Sequence, residues 1–262
     1  MKAIADLVRA NTDQQTKTLV CETHGEYESH LIGGRIWTKC PTCSAESHAK
    51  EQEEVASKAR AERLQAWQRK IGGSGIPERF QDRRLGTFIA KTAAQKYALA
   101  FAQEYADDFD DCLKSGRSAL FIGRPGTGKT HLAVGVGMQI MGRDGRSVLF
   151  TTVMRAVRRV KDTWGRSSTE TESQAVAALV FPDLLILDEV GVQFGSDTER
   201  LILFDVLNER YEKRRPTLML SNFASDEVEE FLGERIFDRL REDGGEVVVF
   251  DWESHRGQRE GR

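Results

Sequence analysis

Two patterns of apolar residues divide this chain. From position 119 onward, short segments with apolar centres at 119–122, 147–151, 184–188, 217–221 and 246–250 alternate with longer stretches. Runs of that length without polar alternation predict strands buried on both faces. Between them, 129–141, 152–164 and 198–213 have helix-like patterning. Ahead of the first run, 91–109 predicts an amphipathic helix with Tyr97, Leu99, Phe101 and Tyr105 as its apolar set. Strand and helix in alternation predict an α/β domain with a five-stranded, mostly parallel sheet covered on both sides. Ile76-Pro77-Glu78-Arg79-Phe80 reads as an extended lead into it.

The front of the chain lacks this alternation. Residues 45–71 are rich in Ala, Glu, Lys, Arg and Gln and predict one charged helix, about 40 Å long. Its apolar residues are sparse: Val55, Leu64, Trp67 and Ile71, the last three on one narrow stripe. A solvated connector and a partner-binding arm anchored by Trp67 both fit that pattern. Gly72-Gly73-Ser74-Gly75 predicts a break and a flexible joint. Further upstream, 25–32 has strand character, Gly33-Gly34 is a hairpin turn signal, and 35–39 leads back. Residues 1–18 are weakly periodic, with Ile4, Leu7 and Val8 offering one face of a short helix. The expected division is 1–44, 45–75 and 76–262.

Composition narrows the class. With 39% apolar and 30% charged residues the chain can bury a core beneath a heavily solvated surface. No apolar run approaches the ~20 residues of a membrane span. The first residues lack the apolar stretch of a signal peptide, so the expectation is a cytoplasmic protein with no membrane partner. A net charge of −3 excludes a generally basic nucleic-acid coat and leaves room for a local basic surface. Four cysteines in such a protein point to metal or free thiols before disulfides. Cys21 and His24 form one close pair, Cys40 and Cys43 another, with fifteen residues between them. Three thiolates and one imidazole so spaced match a tetrahedral structural Zn²⁺ site in a small ribbon-like module. A metal staple suits a segment too small to fold on its own apolar core. Unligated cysteines, or redox use of Cys40 and Cys43, are the competing readings. His30 and His48 lie outside the paired spacing and read as surface residues, and Cys112 as a partly buried thiol.

The strongest chemistry lies at Gly123-Arg124-Pro125-Gly126-Thr127-Gly128-Lys129-Thr130, the pattern GxxxxGKT between a predicted strand and a predicted helix. In that context the glycine loop can turn successive N–H groups toward an anion, and the helix adds its positive dipole end. Lys129 would reach the β- and γ-phosphates of ATP and the Thr130 hydroxyl would bind Mg²⁺. The strand at 184–188 ends in Asp188, placed to hold Mg²⁺, and Glu189, placed to polarise an attacking water. The strand at 217–221 ends likewise at Asn222, within reach of a γ-phosphate or lytic water. In the stretch 154–166, Arg155, Arg158, Arg159, Lys161 and Arg166 stand against Asp162 alone. Val153, Val157, Val160 and Trp164 form the opposite stripe, predicted buried. Tracking of single-stranded DNA and a plain solvated helix face both fit that pattern.

Together these motifs resemble the AAA+ ATPases, in which the Asn222 position is the first sensor. More narrowly, roughly 180 residues from Ile76 to Arg256 resemble the DnaC-type replicative helicase loaders, related to DnaI loaders and IstB transposition ATPases. The resemblance is carried by the 123–130 loop, Lys161-Asp-Thr-Trp164, 185–193, 232–239 and Phe250-Asp-Trp-Glu-Ser-His-Arg256. The paired-ligand module is similar to amino-terminal modules of phage-type members. The resemblance implies that Arg239, or Arg235 one helical turn earlier, is an arginine finger reaching a neighbour's ATP. It implies that Arg256 is the second sensor and that Arg155, Arg158, Arg159, Lys161 and Trp164 line a DNA channel, with Gln193 to Glu199 beside it. Six residues follow Arg256, so the helical lid of larger relatives is expected to be missing. An ion pair of either arginine with Glu234 or Asp238 is the bland alternative, worth little at a surface.

Three functions compete. In the first, the chain loads a hexameric replicative helicase onto single-stranded DNA under ATP control, self-associating through the ATP site. In the second it is an IstB-like transposition helper, and in the third a nucleotide-switched adaptor that does not hydrolyse ATP. The paired-ligand module and long arm favour the first over the second, and intact Lys129, Asp188 and Glu189 disfavour the third.

Overall fold

Five parallel strands form the centre of the larger part of the molecule: β4 (Ala119–Gly123), β5 (Val148–Thr152), β6 (Leu184–Asp188), β7 (Thr217–Ser221) and β8 (Glu246–Phe250), in the order β5-β6-β7-β4-β8. The computed structural model describes residues 15–143, 145–191 and 196–255. Contacts divide the chain into two units, Met1–Trp67 and Gln68–Arg262.

In the first unit, β1 (Thr16–Cys21) pairs antiparallel with β2 (Gly25–Ile32), and β3 (Ile36–Trp37) returns along β2 after the Gly33-Gly34 turn. The β2–turn–β3 hairpin follows the sequence reading. β1 does not: Thr16-Lys17-Thr18 carries no apolar pattern, and its first three residues are exposed. α1 (Pro41–Gly73) starts four residues before the expected 45, with proline in its first turn, so Cys43 belongs to the helix. Leu64 is exposed, whereas Trp67 is half-buried. His48 is exposed as expected, but His30 is half-buried, and its Nδ1 is buried with no hydrogen-bond partner among the described residues.

In the second unit, β4, β6 and β7 are buried almost throughout because helices cover both faces of the sheet. On one side α2 (Ala93–Asp107) packs against α4 (Lys129–Met141). The others are α3 (Phe109–Ser115), α5 (Val153–Asp162), α6 (Glu172–Val180), α7 (Asp197–Glu212), α8 (Ser225–Leu232) and α9 (Glu234–Arg241). α5, α6 and α7 pack mutually, and α9 packs on α7 and α8. The expected helix 91–109 stops at Asp107. It opens with a capping box, Thr92 Oγ1 accepting from Gln95 N at 3.2 Å and Gln95 Oε1 from Thr92 N at 3.0 Å. Phe101 and Tyr105 are buried, but Tyr97 faces solvent and donates its hydroxyl to Glu246. Cys112 is buried, which pushes its thiol up to about 11.

The glycine joint is a docked turn rather than a loose one. Ser74 is buried, its hydroxyl donates to Ile71 O at 2.7 Å, and its carbonyl accepts from Phe150 N of the edge strand β5 at 2.7 Å. One turn earlier, Lys70 Nζ donates to Met141 O and Arg143 O at 3.0 and 3.2 Å, capping the carbonyl end of α4.

Arg210 is the largest fully buried side chain. Its guanidinium donates to Leu179 O, Val180 O, Pro182 O and Pro216 O and to Thr217 Oγ1, at 2.5–3.0 Å. It thereby ties the carboxyl end of α6 to the start of β7, while burial draws its pKa down to about 9. Arg210→Ala is expected to lower folding stability by about 3–5 kcal/mol, since it strands those carbonyls and opens a cavity. Denaturant unfolding measures this, and a change below about 1 kcal/mol contradicts the assignment.

Candidate functional site

The phosphate-loop candidate is held on three sides. β4 ends at Gly123, where φ is 130° and a Cβ would lie 2.2 Å from Phe250 O, so only glycine fits. At the other end Gly128 has φ 102° and leads into α4, and a Cβ there would strike the Phe88 ring at 2.6 Å. Between them Trp252 Nε1 donates to Thr127 O at 2.9 Å, and His255 N to Gly126 O at 3.0 Å. Buried Lys129 donates from Nζ to Gly123 O and Arg124 O at 2.6 and 2.9 Å. The segment after β8 therefore braces the loop, a role that sequence reasoning missed for Trp252. Arg256 lies outside the described residues.

The acidic end meets this loop directly. Thr130 Oγ1 donates to Asp188 Oδ2 at 3.1 Å, bringing together the two residues expected to hold Mg²⁺. Burial raises the Asp188 pKa, opposed by its hydrogen bonds from Glu189 N and Thr130. Glu189 is exposed and left-handed, with φ 63°, a conformation that costs an ordinary residue about 1–3 kcal/mol. The next turn enforces it: Val190 N donates to Leu220 O at 2.9 Å, and Ser221 Oγ to Val190 O at 2.7 Å. Strain is thus held at the residue expected to face water. Asn222, at the end of β7, shares a cleft of about 430 Å³ with Pro125, Gly126, Gly128, Lys129, Thr130, Asp188 and Glu189. Arg79, Phe80 and Arg83 wall its other side. A glycine cradle, an ammonium, and a hydroxyl–carboxylate pair at one cleft fit a Mg²⁺-bound triphosphate.

Arg239 sits elsewhere. It donates to Asn208 Oδ1, stacks 4.3 Å from the Tyr211 ring centroid, and shares a small depression with Gly116, Ser118 and Thr217. Gly116 and Ser118 lie just ahead of β4 and Thr217 begins β7, whereas the loop lies at the carboxyl end of β4, a strand's length of about 16 Å away. Arg235 is exposed above the Phe204 ring. Neither arginine pairs with Glu234 or Asp238 among the described residues.

The basic helix α5 buries Val153, Val157 and Val160 and exposes Arg155, Arg158 and Arg159. Arg159 is held by Glu170 at 2.6 Å and Lys161 by Glu199 at 3.1 Å. Arg155 and Arg158 make no ion pair among the described residues. Trp164 does not join the buried stripe: α5 ends at Asp162, so the helical phase is lost and the indole is 50% exposed, donating to Glu172 at 2.5 Å. Gln193 lies outside the described residues.

The four metal-ligand candidates converge, their donor atoms all within 4.8 Å of one another. Cys21 Sγ lies 3.5 Å from Cys43 Sγ, and His24 Nδ1 lies 3.2, 3.7 and 3.8 Å from Cys43, Cys40 and Cys21. A tetrahedron with metal–sulfur arms of ~2.3 Å has edges of about 3.8 Å, close to these spacings. Backbone N–H groups of Thr23 and His24 point at Cys21 Sγ, and those of Thr42 and Cys43 at Cys40 Sγ, lowering both pKa values. Crowding by the other two thiols pushes Cys43 up to about 12, a cost that a bound cation removes. His24 Nε2 meets Glu46 at 3.1 Å, which orients the imidazole with Nδ1 inward. These residues fit Zn²⁺. The purified protein is expected to carry about one equivalent of zinc, and Cys40→Ser to lose it along with exchange protection across β1 and β2. Elemental analysis with hydrogen exchange measures this, and full protection without metal contradicts it.

Comparison with known proteins agrees with this architecture. The model of the family described as IstB-like ATP binding protein matches residues 111–261. The chain is 36% identical over 215 residues to the replicative helicase loader DnaC of Escherichia coli (strain K12), covering 81% of this chain and 86% of the relative. It is 33% identical over 208 residues to the DnaC loader of Buchnera aphidicola subsp. Schizaphis graminum, covering 79% and 83%. A crystal structure of the DnaC helicase loader superposes with a TM-score of 0.59 at 24% identity, covering 66% of this chain and 99% of that one. The fold is thus a P-loop AAA+ core preceded by a module with a candidate zinc site, and this chain belongs to the DnaC family of replicative helicase loaders, within the IstB-like ATP binding proteins.

Proposed function

We propose that this protein is an ATP-hydrolysing loader that places a hexameric replicative DNA helicase on single-stranded DNA in the bacterial or phage-infected cytoplasm. One observation carries the enzymatic part: Thr130 hydrogen-bonded to Asp188, with Glu189 and Asn222 at the same cleft. ATP supplies the γ-phosphoryl group that is transferred to water. The loop amides and Lys129 bind the phosphates, and Thr130 and Asp188 hold Mg²⁺. Glu189 accepts the proton of the attacking water at its carboxylate, and Asn222 orients that water. Arg239 lies too far from its own loop to take part there, which supports its action on a neighbouring copy and makes self-association part of the cycle.

The remaining surfaces divide the partners. Exposed Arg155 and Arg158, with Arg159, Lys161 and Trp164, suit a phosphate backbone and an unstacked base. The Zn²⁺-stapled module and the charged arm would grip the helicase. The proposal is tested by size-exclusion chromatography of the full chain with the host's replicative helicase, Mg²⁺ and ATP. Co-elution with the hexamer is the expected result. Filaments on duplex DNA without helicase binding would move the assignment to a transposition helper.

A further inference from the structure

The nucleotide cleft holds two cations to which neither the phosphate loop nor the acidic strand end gives a task. Arg79 and Arg83, four residues apart, line it together with Lys129, Thr130, Asp188, Glu189 and Asn222. Lys129 alone against Asp188 and Glu189 would leave the cleft with one net negative charge. A Mg²⁺-bound triphosphate is itself an anion, and that balance would oppose its binding. The two guanidiniums turn the balance to one net positive charge. His131, which also lines the cleft, adds none near neutral pH, because burial lowers its pKa.

The segment that carries the two arginines is fastened along its length. Ser74 O accepts from Phe150 N of β5 at 2.7 Å, so the segment enters on the side of β5 and β6, where Asp188 ends β6. It then crosses the first turns of α4. A Cβ on Gly135 would lie 2.7 Å from Leu85, one on Gly128 would lie 2.6 Å from Phe88, and between them His131 Nε2 donates to Arg84 O at 3.0 Å. Glu78–Phe80 forms a 3₁₀ turn, and Gln81 Nε2 donates to Ile76 O at 3.1 Å. The Arg84 guanidinium donates to Gln81 O and Arg83 O, each at 2.8 Å. The backbone beneath Arg79 and Arg83 is thus fixed, and only their side chains need move. On the opposite side Trp252 and His255, which follow β8, close the loop. The arginines therefore stand at the reacting end of the triphosphate, with Asp188, Glu189 and Asn222.

We infer that Arg83, with Arg79 as its weaker neighbour, contacts the γ-phosphate of ATP bound by its own chain and makes the cleft distinguish ATP from ADP. Arg83 is half-buried, whereas Arg79 is exposed. The ionic contact that Arg83 makes, from Nε to Asp82 Oδ1 at 3.4 Å, joins it to a side chain that is 74% exposed. Such a pair is worth little, so a phosphate displaces it readily. The γ-phosphate offers the guanidinium two oxygens that match its fork. ADP has no group at that place and forgoes the contact. The inference rests on the ATP-site reading and adds the group that reads the γ-phosphate within the same cleft.

Titration of the full chain with fluorescent ADP and with a fluorescent β,γ-imido analogue of ATP tests it, both with Mg²⁺ and at chain concentrations too dilute for self-assembly. Arg83→Ala is expected to weaken binding of the analogue by about tenfold or more and of ADP by less than about twofold. The retained ADP affinity reports an intact fold. Arg83→Lys restores part of the loss, because the charge returns without the fork. Arg79→Ala costs the analogue less than Arg83→Ala does. Unchanged analogue binding by Arg83→Ala overturns the inference alone. An equal loss for both nucleotides also overturns it, since Arg83 would then only hold up the cleft wall. A wild-type chain that binds neither nucleotide overturns the ATP-site reading as well.

Discussion

Replacing Glu189 with Gln is expected to cut steady-state phosphate release by about 10²–10⁴-fold while leaving ATP affinity within a few-fold of wild type. The split follows from geometry. Glu189 is exposed, and among the described residues its side chain takes no part in the hydrogen bonds of Lys129 or of the Thr130–Asp188 pair, so binding determinants stay in place. Its backbone is locked in a left-handed turn by the Val190 and Ser221 bonds to and from β7, and Gln occupies the same space. What disappears is the carboxylate that accepts a proton. Malachite-green phosphate release together with fluorescent-nucleotide titration measures both halves. Unchanged turnover would mean that another group serves as base, and lost binding that the side chain supports the cradle.

Removing the Arg239 guanidinium is expected to reduce turnover by about 10³-fold or more in the assembled state. The side chain sits at the amino end of the sheet against Asn208 and Tyr211, away from its own phosphate loop. On the proposed reading its effect crosses between copies. An Arg239→Ala copy keeps a complete site of its own but fails its neighbour, whereas a Glu189→Gln copy does the reverse. Mixed in equal amounts, the two inactive variants regain activity, about a quarter of wild type if they assemble head-to-tail at random. No recovery on mixing contradicts action in trans. Recovery with Arg235→Ala in place of Arg239→Ala transfers the role to Arg235.

Much of this architecture can be read from the chain because burial on both faces leaves an unmistakable mark. Leu184-Leu-Ile-Leu and Thr217-Leu-Met-Leu admit no polar face, and the catalytic candidates follow directly where those strands end. Other elements leave weaker marks. β1 is held by ladder bonds and a cysteine cluster rather than by an apolar face, so Thr16–Val20 shows no period. α6 does carry a signal, the capping box Thr171-Glu-Ser-Gln174, which the strand-and-helix alternation passes over. The stripe of Val153, Val157 and Val160 does not reach Trp164, because the helix stops at Asp162. Nothing local to Arg210 reveals the four carbonyls that accept from its guanidinium. Trp252 braces a loop 125 residues away in sequence, a contact that only the tertiary structure discloses.

Loading itself is tested most directly on a closed DNA circle, which a helicase ring can enter only if it is opened. Replicative helicase is incubated with single-stranded circular DNA, Mg²⁺ and ATP, and the DNA is washed in high salt to strip helicase that has not encircled it. Helicase is expected to remain on the circles when this protein is present and to be removed when it is absent. Equal retention with and without the protein, or none in either case, would contradict its action as a loader.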